Sequence, residues 1–233
     1  MSIFSLIKED FSVVYNNDPA SQSKIDIFFS YPGVWALFWH RLSHPLFKKG
    51  FKRIARFLMA FAHFLTHIDI HPGASIGRRV FIDHGTGVVI GETAIIGDDV
   101  LIYQGVTLGG VSLKVGKRHP TLEQGVVVGA GAKILGNITI GEFSKIGANS
   151  VVVKEVPAHS TAVGIPARVV DKGLCQNPMT HNKLPDVDKE LFEYLLKRVA
   201  ILEHVLMKDN KEISEQDIEL EHIYERFIKT MKS

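Results

Sequence analysis

Three groups of residues have types and spacing that could do chemistry: Asp69, the pair Asp83-His84 and the pair Arg118-His119; Asp18, further upstream, reads by itself as a helix start. An imidazole titrates near neutrality and can take a proton from a weak nucleophile. A carboxylate against its other nitrogen fixes the tautomer and stabilises the cation that forms. A guanidinium offers a planar fork to a carboxylate. Each residue also has a plain reading: His84 as a turn residue in His84-Gly85-Thr86-Gly87, Asp69 and Asp18 as caps, Arg118-His119 as a solvated loop tip. Whether they form a site depends on the elements that carry them.

Those elements are repeats. Aliphatic residues recur every six positions at Ile70, Ile76 and Ile82 and, after a two-residue shift across His84-Gly85-Thr86-Gly87, at Ile90, Ile96, Ile102 and Leu108. Gly follows several of them (Ile76-Gly77, Ile90-Gly91, Ile96-Gly97). This period fits neither helix nor hairpin and predicts a left-handed parallel β-helix, each hexad one short strand and one turn. The segment GGVSLKVGKRHPT interrupts the hexads between Leu108 and Leu122. Leu122, Val128, Ile134, Ile140, Ile146 and Val152 then restart the register, so the insertion should protrude as a loop from a continuing solenoid. Asp69 and His84 lie less than one three-hexad coil apart, so adjacent coils can bring them close.

Residues 1–67 read as a helical cap broken at Asp18-Pro19 and Tyr31-Pro32-Gly33. Trp35, Phe38, Trp39 and Leu42 fall at helical spacing and are expected to pack inside the cap or against a neighbouring subunit. The stretch Arg53 to His67 is apolar nearly all round and predicts a helix buried between cap and solenoid. The β-helix occupies residues 68–170 and closes around Val163 to Arg168; residues 171–186 read as linker. In the C-terminal part of 171–233, Phe192, Leu195, Val199, Leu202 and Leu206 form a short coiled-coil seam. A second helix is expected from Ser214, with Asp217 completing a capping box. These helices either fold back on their own subunit or bridge subunits. The fold class is thus α+β: helical cap, left-handed β-helix with one protruding loop, and C-terminal helices.

Composition bounds the partners. Among 233 residues, 27 Lys+Arg against 25 Asp+Glu argue against nucleic acid as the main ligand. The single cysteine, Cys175, fits a reducing compartment and hence the cytoplasm. Lys8, Glu9 and Asp10 exclude a signal peptide, and no apolar run is long enough to span a bilayer, so no membrane partner is expected.

Six motifs, Asp69-Ile70-His71-Pro72-Gly73, Ile82-Asp83-His84-Gly85-Thr86-Gly87, Ile90-Gly91-Glu92-Thr93, Thr107-Leu108-Gly109-Gly110, Lys117-Arg118-His119-Pro120 and Gly129-Ala130-Gly131-Ala132-Lys133-Ile134-Leu135-Gly136, closely resemble those of the serine O-acetyltransferases in order and spacing. The resemblance covers about Asp18 to Val170. It implies transfer of acetyl from acetyl-CoA to the L-serine hydroxyl, giving O-acetylserine and CoA for cysteine biosynthesis. It assigns His84 as general base and Asp69 as its orienting carboxylate. Arg118 and His119 would hold the substrate carboxylate, Asp83 and Asp18 its ammonium. Gly110, Ala130 and Ala148 would contact acetyl-CoA, with Lys133 and Lys145 as candidate phosphate partners. No metal is implied. A homotrimer is implied, with the CoA groove between subunits, and L-cysteine is a candidate feedback inhibitor. The chain ends Thr230-Met231-Lys232-Ser233 rather than in the isoleucine that docks some family members into cysteine synthase, so that complex is not expected. Three rival readings remain: a zinc enzyme of the γ-carbonic-anhydrase kind, suggested by His63, His67 and His71; an acetyltransferase for homoserine or a sugar; and a non-catalytic scaffold.

Overall fold

The computed structural model describes residues 3–18, 24–172, 192 and 194–202. Four helices come first: α1 (Ile3–Asn17), α2 (Lys24–Ser30), α3 (Pro32–Lys48) and α4 (Lys52–Thr66). Pro32 opens α3, where its missing N–H costs nothing, and α3 stops before Gly50, whose φ of +91° no helix continues through. α4 ends at His67 in the left-handed conformation, its N–H donating to the His63 carbonyl.

Fifteen short strands follow. The first sheet stacks β1 (Asp69–Ile70), β4 (Val89–Ile90), β7 (Thr107–Gly109), β10 (Lys133–Leu135) and β13 (Val151–Val152). The second stacks β2 (Ser75–Ile76), β5 (Ile95–Ile96), β8 (Thr121–Leu122) and β11 (Thr139–Ile140). The third stacks β3 (Phe81–Ile82), β6 (Leu101–Ile102), β9 (Val127–Val128), β12 (Lys145–Ile146) and β14 (Ser160–Gly164), with β15 (Ala167–Lys172) beyond. Every pairing between named strands is parallel except β14 with β15, so three sheets form the faces of a left-handed parallel β-helix. The hexad aliphatics point inward: Ile70, Ile90, Leu108, Ile134 and Val152 form one buried column. A second buried series lies two residues before each hexad aliphatic from Ile70 to Leu108 (Ile68, Ala74, Val80, Val88, Ala94, Val100, Val106) and fills the corners.

The register shows where the repeat departs from uniformity. Val89 pairs with Thr107 and Lys133 with Val151, one regular coil each. Asp69 pairs with Val89 across a coil two residues longer, and Thr107 with Lys133 across one eight residues longer. The first excess lies in the corner from residue 83 to 88, the second in the loop after Gly110. The solenoid ends in the antiparallel β14–β15 hairpin, which turns at Ile165-Pro166 and carries strand through residues 171 and 172, two positions expected to be linker.

The cap departs from expectation in α4. Only Ala55, Met59, Ala62 and Thr66 are buried, while Phe57 and Phe64 are 73% and 76% exposed. The helix is therefore not enclosed: it lays one narrow, small-residue face on the chain and leaves its phenylalanines outside. In α3 the buried edge is Leu37, His40, Arg41 and Ser43. Trp35, Phe38 and Trp39 are half-buried in an edge-to-face series running from Phe28 to Phe61, which links α2, α3 and α4.

Two arginines tie the cap to the solenoid, Arg41 from α3 through solenoid carbonyls and Arg78 from the solenoid through an ion pair to α1. The Arg41 guanidinium donates to both Asp10 oxygens at 3.0 and 3.1 Å and to the carbonyls of Ile76 and Gly77 at 2.7 and 2.6 Å. Arg78 adds a bidentate pair to Glu9 on α1.

The chain divides into two compact units, Met1–Leu184 and Pro185–Ser233. In the second, residues 194–202 are helical, and Phe192, Leu195, Val199 and Leu202 are exposed within the single chain. Leu206, Ser214, Asp217 and Cys175 lie outside the described residues. Among the described residues no helix is long and apolar enough to cross a membrane.

Candidate active site

The candidate residues fall at two corners of the solenoid. His84 sits in the lengthened corner between the third and first sheets, at a φ of 57°, with its side chain 73% exposed. Its Nε2 is 4.0 Å from Asp83 Oδ1. Asp18 lies just past α1, and its carboxylate accepts a 2.5 Å bond from the Tyr31 hydroxyl. Burial pushes the Asp83 carboxyl up; His84 opposes this and Asp18 adds to it. Burial, then Asp83 and Asp18, likewise raises the Tyr103 phenol. The Asp83 and Asp18 carboxylates thus act on one another beside an exposed imidazole.

The second cluster lies at the corner between the first and second sheets. The loop leaves at Gly110 and returns at Arg118, and these ends touch: a Cβ added at Gly110 would lie 3.1 Å from Arg118 Cγ. Between them Val111, Leu113 and Val115 are fully or largely exposed. Arg118 donates to Glu92 Oε2 at 2.6 Å, and this bond holds the Glu92 carboxyl below its ordinary range. His119 is buried, and Thr93 bonds its ring and its backbone. Lys117 reaches past it to the carbonyls of Thr93 and Pro120 at 2.8 and 3.1 Å. A cavity of about 470 Å³ opens here on the first sheet, lined by Asp69, His71, Glu92, Arg118 and His119, with Arg56 contributed by α4. Desolvation holds both His71 and His119 below the usual histidine range.

Asp69, Arg118 and His119 therefore share one cavity, whereas Asp18, Asp83 and His84 gather elsewhere in the same chain. Among the described residues no hydrogen bond or ion pair joins Asp69 to His84; Asp83 supplies the carboxylate within ion-pair reach of that imidazole. Ala130 and Ala148 lie on the corner that carries His84, in higher coils: Gly105 N–H bonds Thr86 O, Gly131 N–H bonds Gln104 O, and Asn149 N–H bonds Ala130 O. Gly110 stands apart from them, at the base of the loop. Lys133 spends its ammonium on the Gly105 carbonyl and Lys145 is buried, so neither offers itself to a phosphate in this arrangement.

Sequence reasoning missed His71, Glu92, Thr93 and Tyr31 as parts of these clusters. His71 could have been found from His71-Pro72-Gly73, a turn sequence in which Nδ1 accepts the Gly73 N–H at 3.0 Å. Nothing local marks Tyr31, which reaches Asp18 from the start of α3. Among the described residues no three His, Cys, Asp or Glu side chains converge as a metal site.

Residues 119–154 match the bacterial transferase hexapeptide (six repeats) family model. The chain is 47% identical over 219 residues to a serine acetyltransferase of Synechococcus elongatus, an alignment spanning 94% of this chain and 90% of that one. Among solved structures it superposes on Neisseria gonorrhoeae serine acetyltransferase in complex with serine with a TM-score of 0.70 and 43% identity, over 72% of this chain and 69% of that one. It superposes on Brucella abortus serine acetyltransferase in complex with coenzyme A with a TM-score of 0.70 and 45% identity, over 74% and 69% of the two chains. Strand register, repeat and similarity along nearly the whole length agree: this chain is an enzyme of the serine acetyltransferase family.

Proposed function

We propose that the protein transfers acetyl from acetyl-CoA to the hydroxyl of L-serine, with His84 as general base oriented by Asp69. The observation that carries this reading is the division of the site into an acidic half, Asp18 and Asp83 beside an exposed His84, and a donor half, Arg118 with His119. A zwitterionic amino acid needs both. Its ammonium pairs with Asp83 and Asp18 and its carboxylate with Arg118 and His119, which leaves the side-chain hydroxyl for the imidazole. His84 takes the hydroxyl proton as the oxygen attacks the thioester carbonyl. The tetrahedral intermediate expels the CoA sulfur, which leaves with that proton, so O-acetylserine and CoA form and the base is regenerated.

The two halves occupy different corners of one chain, and in a homotrimer the acidic corner of one protomer would meet the loop of the next. Acetyl-CoA would lie in that groove, along Ala130 and Ala148 on one side and Gly110 on the other. No metal takes part. L-cysteine, which has serine's two charged ends, would compete for the same site as a feedback inhibitor, and a product of this reaction suits cysteine biosynthesis in the cytoplasm.

The test is CoA release from acetyl-CoA with L-serine, run beside L-homoserine and beside His84→Ala. Serine-dependent release that falls about 10²–10⁴-fold in the variant supports the reading. A folded wild type with no serine-dependent release overturns it.

A further inference from the structure

We propose that Thr93 is a positioning residue that fixes His119 as the neutral imidazole with its proton on Nε2, making His119 a permanent hydrogen-bond donor to the substrate carboxylate. The inference rests on the reading above for the identity of that carboxylate; the tautomer itself does not.

The argument is one of hydrogen-bond capacity. A threonine hydroxyl has two acceptor positions and one proton. At Thr93 both acceptor positions are taken, by the backbone N–H of Arg118 at 3.0 Å and of His119 at 3.2 Å. Its proton is left for His119 Nδ1, 2.9 Å away. The backbone N–H of Thr93 points at the same nitrogen from 3.2 Å. A ring nitrogen that receives two donors carries no proton, so a neutral His119 has its hydrogen on Nε2. A turned-over ring, with Cδ2 in place of Nδ1, would leave both Thr93 donors without an acceptor. The ring is packed against Gly91, where any added Cβ would run into it, and a Cβ at Gly110 would lie 3.2 Å from Nε2. Protonation of Nδ1 would set an N–H against those two donors; separately, desolvation and the charges of Arg118 and Lys117 hold the ring below the usual histidine range.

Function follows from direction. His119 lines the cavity beside Arg118, and a donor there adds to the guanidinium in holding an anionic oxygen, whereas the opposite tautomer would aim a lone pair at it. His119 is thereby excluded as a second base, and the proton of the reaction is left to the exposed His84. The Glu92-Thr93 step divides its labour: Glu92 positions the Arg118 guanidinium and Thr93 the His119 ring.

The experiment uses the full-length protein with ¹⁵N-labelled histidine. The His119 ring signals are assigned by their loss in His119→Gln, and serine kinetics are run in parallel. Wild type at pH 7.5 should show a bare Nδ1 and a protonated Nε2. Thr93→Val should mix the two tautomers and raise KM for serine about ten- to hundredfold with a smaller change in kcat. Thr93→Ser, which keeps the hydroxyl, should restore both. Lys117→Met loosens the same loop without touching the ring and should leave the tautomer unchanged. A proton on Nδ1 in wild type, or a Thr93→Val protein with serine KM within twofold of wild type, overturns the proposal. Loss of serine-dependent CoA release in wild type with the expected NMR signals would sink the functional reading and leave the tautomer standing.

Discussion

His84 holds a backbone conformation that costs a non-glycine residue of order 1–3 kcal/mol, with its ring projecting into solvent. Arg118 is equally committed: one edge of its fork is spent on Glu92, which leaves the rest for a ligand. Arg118→Lys should therefore raise serine KM at least tenfold while kcat falls less, because a lysine cannot bond Glu92 and a carboxylate in one plane. Equal losses in kcat and kcat/KM would instead show that Arg118 acts only in the transition state. Asp83, His84, Arg118 and His119 stand out in the sequence as candidates because a carboxylate–imidazole pair and a guanidinium–imidazole pair fall at the two places where the six-residue repeat is lengthened. Thr93 and Tyr31 do not. A hydroxyl reveals its role only through its partners, and theirs lie 25 and 13 residues away in the chain.

Elements decide whether those side chains meet. Gly91 opens the corner after β4, and the His119 ring lies on it. Gly91→Ala should thus displace His119 with the strands intact, detectable as a large rise in serine KM and an unchanged circular dichroism spectrum. The cap is joined to the solenoid differently. Burial pushes the Asp10 carboxyl up by more than the Arg41 hydrogen bond and charge bring it down, so the pair gains little net attraction. Its removal is what costs. Asp10→Ala leaves a guanidinium buried with carbonyls alone and should destabilise the protein by about 3–5 kcal/mol in urea unfolding. The six-residue period made the solenoid legible before any coordinates, since it specifies strand, turn and inward face together. The fate of α4 was not legible. An all-round apolar helix reads as buried, yet only its alanine, methionine and threonine side chains find a surface within the chain.

At the level of the whole molecule, three histidines are held neutral by burial, and His40, enclosed at the cap–solenoid junction, is pushed down to about 3. In the unfolded chain each would titrate near its ordinary value, so as pH falls below about 6.5 the unfolded state binds protons that the folded state refuses. Stability is full above that value and declines towards the folded pKa, with a slope of up to about 1.4 kcal/mol per pH unit from His40 alone. Urea titrations between pH 7.5 and 4.5 should show this, and His40→Leu should flatten the slope. Assembly has its own test. If two corners from different protomers complete one site, refolding a mixture of inactive His84→Ala and Arg118→Ala chains should recover part of the activity. No recovery would place the whole site within one chain.

The lengthened coils carry a consequence of their own. A solenoid trimmed to equal coils would keep each inward aliphatic column, each ladder hydrogen bond between successive turns, and hence its fold. It would lose the two extra residues that throw His84 outward and the eight that carry Arg118 and His119 back to the wall. What makes this chain stand up and what carries its candidate site are therefore written in different letters, and the second can be erased or rewritten without editing the first.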